Sequence, residues 1–190
     1  MLTKWTKKEI LRFVLCFAIF FGLVLCTQLP GFASPLYWVL FPILAAFVAA
    51  GPITCVMQMK PGFGAAAAIP LLWLILYRCF GELSIPMMWI WMLAVIVAAE
   101  IVWACVGHEK RSGLRLAVPI VCLVPLGNLM PLYFSKADFL NRASEEMSSA
   151  YVNGLDHYGT IPMFVLVLVL CLVSASVAER MTEKILKIDM

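Results

Sequence analysis

Residues 85–107 read IPMMWIWMLAVIVAAEIVWACVG, an unbroken apolar run with a single charge, Glu100. Its apolar residues do not alternate as they would in a barrel strand, and a helix needs about 20 such residues to cross the hydrocarbon core of a bilayer. Backbone in hydrocarbon satisfies its own hydrogen bonds only as a helix or a closed barrel. The stretch therefore predicts a transmembrane helix, and the rest of the chain is read outward from it.

The same rule places spans at 10–29, 35–59, 64–80, 85–107, 113–134 and 159–180, joined by PGFAS, KPGFG, GELS, the HEKRSGLR region and a long polar segment. Gly and Pro punctuate these joints. Of the 190 residues, 64% are hydrophobic and 13% charged, where a soluble domain carries about 25% charged residues. The expected fold is an all-α integral membrane protein, one domain of six transmembrane helices. A net charge of +3 gives no sign of a nucleic-acid partner. The seven cysteines stand singly in apolar runs, without CxxC or metal-like spacing, and read as packing residues.

Lys4, Lys7 and Lys8 before an apolar run resemble a signal peptide, but the run to Leu29 is long for one, so a retained first helix is expected. Six spans put both termini on one side. With the termini cytoplasmic, eleven of the 14 basic residues fall inside, and only Arg78, Lys136 and Arg142 lie outside. This bias follows the positive-inside rule.

The segment PLYFSKADFLNRASEEMSSAYVNGLDHYGTIP, 131–162, is then extracytoplasmic. Leu140, Ala143, Met147 and Ala150 recur at helical spacing, with Arg142, Glu145, Glu146 and Ser149 opposite. The pattern predicts one amphipathic helix over 136–153, with Ser135 and Asp138 as a capping box and Gly154 at its end. Its apolar stripe is expected to rest on the bundle, with 151–158 bordering a ligand. Pro119, Pro125 and Pro131 interrupt the fifth span. Two readings stand: a kinked packing helix, or a helix opened beside a cavity with Asn128 pointing into it.

Glu100 is the acid deepest in a span, and a charge there is a functional candidate by default. Pairing with Arg12, Lys60 or Arg115, or simple protonation, is the structural alternative. His108 and His157 fall on opposite sides of the membrane, so they share no metal site. HExxH, GxSxG and Walker glycine patterns are missing from the sequence. No catalytic constellation emerges, and a non-enzyme is expected. The ligand-capable side chains gather on the outer half: Trp89, Asn128, Tyr133, Tyr151, Asn153, Asp156, His157 and Tyr158, with Tyr37, Trp38 and Trp91 nearby. Each aromatic taken alone reads as an interfacial anchor. Together with a covering helix and a broken span, they point to an extracytoplasmic binding cavity.

KWTKKEI (4–10), AGPITCVMQMKPGFG (50–64), AAEIVWACVGHEKRSGLRLAV (98–118), VPLGNLMPLYFSKADF (124–139) and MSSAYVNGL (147–155), in this order and spacing, carry a resemblance that covers essentially the whole chain. The chain resembles the substrate-binding membrane subunits, or S components, of energy-coupling factor transporters, in particular the Trep_Strep or MptD-like group. The resemblance implies a six-helix subunit that binds a small molecule from outside. It would deliver that molecule through a membrane-embedded coupling (T) subunit and a pair of cytoplasmic ABC ATPases. S components dock through small residues at AxxxA spacing in the first span; the nearest equivalent here is Ala18 and Gly22. The implied cargo is a vitamin, or haem or another tetrapyrrole held with help from His157, Tyr158, Met87, Met88, Met130 and Met163. No resident cofactor is implied. Nickel and cobalt S components use an N-terminal histidine cluster that Met1-Leu2-Thr3 does not supply. The alternative is a stand-alone membrane enzyme or scaffold with an outer docking segment.

Overall fold

The computed structural model describes residues 5–59, 61–79 and 86–186. Lys4, Lys60, Lys187 and the 81–84 connection, all used in the topology argument, lie outside the described residues. Every regular element among the described residues is helical. Helix α1 (Lys7–Gln28) begins at a reciprocal capping box: the Thr6 side chain accepts from the Glu9 amide, and the Glu9 carboxylate accepts from the Thr6 amide at 2.7 Å. A short 3-10 turn, Leu29–Ala33, leads into α2 (Pro35–Met59). Then come α3 (Ala68–Cys79), α4 (Pro86–Val106), α5 (Arg111–Val121), a 3-10 segment Val124–Leu129, α6 (Met130–Phe134), α7 (Lys136–Glu146), α8 (Ser149–Tyr158) and α9 (Ile161–Ile185).

α2 is apolar all round, with most of its surface packed against other helices and Leu36, Leu44 and Phe47 facing outward. Its Ala45, Ala46, Ala49 and Ala50 are fully buried, and such small residues let neighbouring helices approach closely. α1 and α9 pack along it, and the Ser174 hydroxyl of α9 donates to the Ile43 carbonyl at 3.0 Å. α4 and α9 reverse the rule of a soluble helix. Ile90, Leu93, Val97 and Ile101 form an outward stripe on α4, as do Val165, Val169, Val173 and Val177 on α9. Apolar surface on this scale calls for lipid.

Five helical units are long and apolar enough to cross a membrane: Lys7–Ala33, Pro35–Met59, Pro86–Val106, Arg111–Phe134 and Ile161–Ile185. The sixth expected span, 64–80, differs. Residues 63–67 form a turn, and α3 has 12 residues, about 18 Å of helix. Gly62 and Gly64 adopt positive φ, and the chain spends this stretch reversing direction rather than climbing.

The polar segment also differs from its expectation. It forms two helices, because Met147 takes an extended conformation and the Ser148 hydroxyl then caps α8 by accepting from the Tyr151 amide. Ser135 makes no side-chain cap. Gly154 lies inside α8, where a Cβ would come within 2.5 Å of Pro35 Cγ; it is the contact point with α2, not a terminator.

Glu100 is 5% exposed and accepts from the Gly64 amide at 3.1 Å and the Ala67 amide at 2.9 Å. Of the alternatives open from the sequence, pairing with Arg12 or Arg115 is not what the structure shows: the partners are backbone donors before α3, amides that have no helical partner. Arg111 and Arg115 instead bind Glu183 of α9, both at 2.8 Å, beside the buried Glu179. Glu100→Ala should leave two buried amides unpaired and lower stability by about 2–4 kcal/mol. Glu100→Gln, which keeps an acceptor oxygen, should lose about half as much. Thermal unfolding in detergent measures both, and wild-type melting of Glu100→Ala would remove the capping role.

Candidate functional site

Proline decides how the site forms. Pro125 has no amide to continue the ladder of α5, so the backbone tightens into the 3-10 segment Val124–Leu129, and residues 121–132 are buried throughout. The carbonyl of Leu123 at this break accepts from the Trp91 indole at 3.0 Å. Gly127 permits the close approach, since a Cβ there would lie 2.7 Å from Met92 Cγ. The break turns Asn128 into a cavity of about 830 Å³.

The cavity lies at the end of the bundle that carries α7 and α8. Its floor is a knot of neutral polar groups from three distant parts of the chain. The Tyr77 hydroxyl accepts from Gln28 Nε2 at 2.9 Å, lies 3.0 Å from Gln28 Oε1, and accepts from Asn128 Nδ2 at 3.4 Å. Gln28, Tyr77 and Asn128 are 8%, 9% and 6% exposed, and Asn128 Oδ1 has no hydrogen-bond partner. Phe21 and Leu25 of α1, Phe32, Trp38 and Met88 make the walls. α7 forms the mouth with Phe139, Arg142, Ala143, Glu146 and Met147, one helical stripe. The expected apolar stripe holds in part, since Ala143 and Met147 line the cavity and Leu140 packs on the core. Ala150 is exposed, and Arg142 and Glu146, expected to face solvent, are exposed at the rim of the cavity, which they also line.

Of the ligand-capable residues singled out from the sequence, Asn128, Tyr151, Trp38 and Met88 line this cavity. The Tyr151 hydroxyl donates to the Gly31 carbonyl and braces α8 against the Leu29–Ala33 turn; partial burial raises its phenol pKa, which keeps the donor protonated. Trp89 and Tyr133 sit elsewhere: Trp89 is half-buried on α4, and Tyr133 packs on Phe164 with its hydroxyl buried. Asn153, Asp156 and His157 are exposed on α8, and Tyr158 stacks edge-on against His157. Asp156 pairs with Lys136 at 2.6 Å, joining α8 to the start of α7. Ala18 is exposed on α1, and a Cβ at Gly22 would meet nothing within 4 Å.

Gln28, Tyr77, Arg142 and Glu146 were not anticipated as site residues. Gln28 carried a signal, as the one amide inside the first span. Tyr77 carried none, because its partners are 49 and 51 residues away. Among the described residues no three His, Cys, Asp or Glu side chains gather as a metal site.

Comparison with known families matches residues 7–188 to a family described as hypothetical bacterial integral membrane proteins, Trep_Strep. The chain belongs to the Trep_Strep family. No curated protein and no solved structure matches it. The match covers both halves of the cavity in this Trep_Strep chain, from Gln28 on α1 to Leu155 on α8. Tyr151→Phe should release α8 from the Leu29–Ala33 turn at a cost of about 1 kcal/mol. Amide hydrogen exchange in α8 should then quicken roughly fivefold, and unchanged protection would show that the hydroxyl does not hold it.

Proposed function

We propose that this chain is the solute-binding membrane subunit of an importer of the energy-coupling factor type. It has six membrane passages, α3 being the short one, and both termini are cytoplasmic. The observation that carries this reading is the cavity itself: about 830 Å³, walled by aromatic and aliphatic side chains, with convergent polar groups at its floor. Ligand sites have this make-up. Family membership and the resemblance to S components support it from a second direction. The basic residues support the orientation, since Arg111 and Arg115 lie at the end opposite the cavity.

In this reading the subunit performs no chemistry. It takes a small molecule from outside into the space between α1, α3, the broken fifth span and α7. It then hands the molecule inward in a complex with a coupling (T) subunit and two ABC ATPases, whose hydrolysis supplies the energy. α1 is the docking helix, because Ala18 and Gly22 leave its outward face open to close approach.

Affinity purification from the host membrane should bring down a polytopic coupling subunit and an ATPase pair. Ala18→Leu or Gly22→Leu should lose most of that copurifying material, with the cavity intact and thermal unfolding unchanged. Purified protein that reproducibly lacks all three partners would overturn the assignment.

A further inference from the structure

The last turns of α9 sort their charges by direction. Glu179 and Glu183 are 1% and 2% exposed and turn into the bundle, where Glu183 meets Arg111 and Arg115 of α5. Arg180 and Lys184 are exposed on the outward face, one turn apart. Among the described residues neither forms an ion pair. Glu183 takes its cations from α5 and Glu179 turns inward behind Arg180, so the outward pair must find its anion in the surroundings.

Depth decides what those surroundings are. α9 runs from Ile161 to Ile185, and about 20 helical residues span the hydrocarbon core. Counted from Ile161, the hydrocarbon ends close to Arg180, and Lys184 stands one turn beyond it. Both cations then lie at the level of the lipid phosphates, the stem of Arg180 running along apolar surface. Toward the membrane centre Val165, Val169, Val173 and Val177 form the outward stripe. Next to Arg180 that stripe is indented: Leu172, Val173, Ser176, Val177 and Arg180 line a groove of about 280 Å³. Ser176 makes the recess, because its side chain is small and its hydroxyl folds back to donate to the Leu172 carbonyl at 2.7 Å.

A groove that is apolar along its length and cationic at its head complements an amphiphile with an anionic head. A soluble anion gains nothing from the apolar length. A partner helix would have to bring a carboxylate to the edge of the hydrocarbon, at a desolvation cost that a lipid phosphate already resident there does not incur. A zwitterionic headgroup carries its own cation to the same place, and a net-negative one does not. We propose that this end of α9 binds one anionic phospholipid of the adjoining leaflet, the cytoplasmic one in the orientation given above, with its phosphate between Arg180 and Lys184 and one acyl chain in the groove at Ser176. Bound there, the lipid fixes the depth and rotation of α9.

The test uses the whole protein, delipidated in detergent and titrated under native mass spectrometry with phosphatidylglycerol, phosphatidylcholine of the same chains, and inorganic phosphate. The expected result is one phosphatidylglycerol retained roughly tenfold or more over phosphatidylcholine, with no phosphate adduct. Arg180→Gln and Lys184→Gln should each weaken phosphatidylglycerol binding about fivefold. Ser176→Leu, which fills the groove and keeps both cations, should weaken it as well. Lys8→Gln, which removes an exposed cation of α1, should leave it unchanged. Should a variant fail to fold, the comparison of the two lipids and phosphate on the unaltered protein decides alone. Equal affinity for the two lipids, binding of phosphate in their place, or full binding by Ser176→Leu overturns the proposal. Equal losses from Lys8→Gln and Arg180→Gln overturn it too, since they mark a diffuse surface attraction. Lipid binding that survives Arg180→Gln while a copurifying protein is lost overturns it in favour of a protein interface.

Discussion

A peptide carbonyl inside hydrocarbon must find a donor, and the fold is arranged around the places where the helix cannot provide one. The Arg111–Phe134 crossing breaks at Pro125, and the carbonyl of Leu123, which accepts from the Leu126 amide at 3.1 Å, takes a second donor in the Trp91 indole of α4. That bond adds to the packing of α4 on the broken span, and Gly127 leaves room for the Met92 and Trp91 side chains against it. With the break held, Asn128 and Gln28 both donate to the Tyr77 hydroxyl, so α1, α3 and the broken helix meet at the same polar knot. Glu100 meets the converse demand at the opposite end, accepting from amides of the turn that leads into α3.

What the sequence made legible follows from this economy. Continuous apolar runs announce membrane helices without ambiguity of type, and three prolines with an asparagine among them announce the broken one. The short α3 was harder to read, because Gly64, Ala65, Ala66 and Ala67 are as apolar as a helix interior while they form a turn. In the polar segment the hydrophobic period gave helix but not phase. Leu140 and Ala143 do pack inward, yet the stripe facing the cavity runs from Phe139 through Arg142 to Glu146. Arg142 and Glu146 stand at the rim, exposed and lining the cavity at once, whereas periodicity sorts a helix only into an inward and an outward face. The pair of serines at 148 and 149 held the signal for a second helix start, since a serine before a helix is an N-cap.

The site was legible in part for the same reason. A lone amide in an apolar span stands out, as Asn128 did. A partnership such as Gln28 with Tyr77 is a property of the fold, joining the end of α1 to α3, and local pattern does not encode it. His157 and Asp156 drew attention by their chemistry, yet the geometry gives Asp156 to Lys136 and leaves His157 on the surface. Charge in a polar segment marks exposure more often than it marks a pocket.

No residue of α7 is buried, and its neighbours in the chain, α6 and α8, supply its packing. A helix so placed belongs to the least protected cooperative unit of a protein, whose opening free energy lies well below that of global unfolding. The bundle and the helix over its cavity are therefore thermodynamically separate. Opening the entrance at α7 costs less free energy than disturbing the membrane core that holds the polar knot in register.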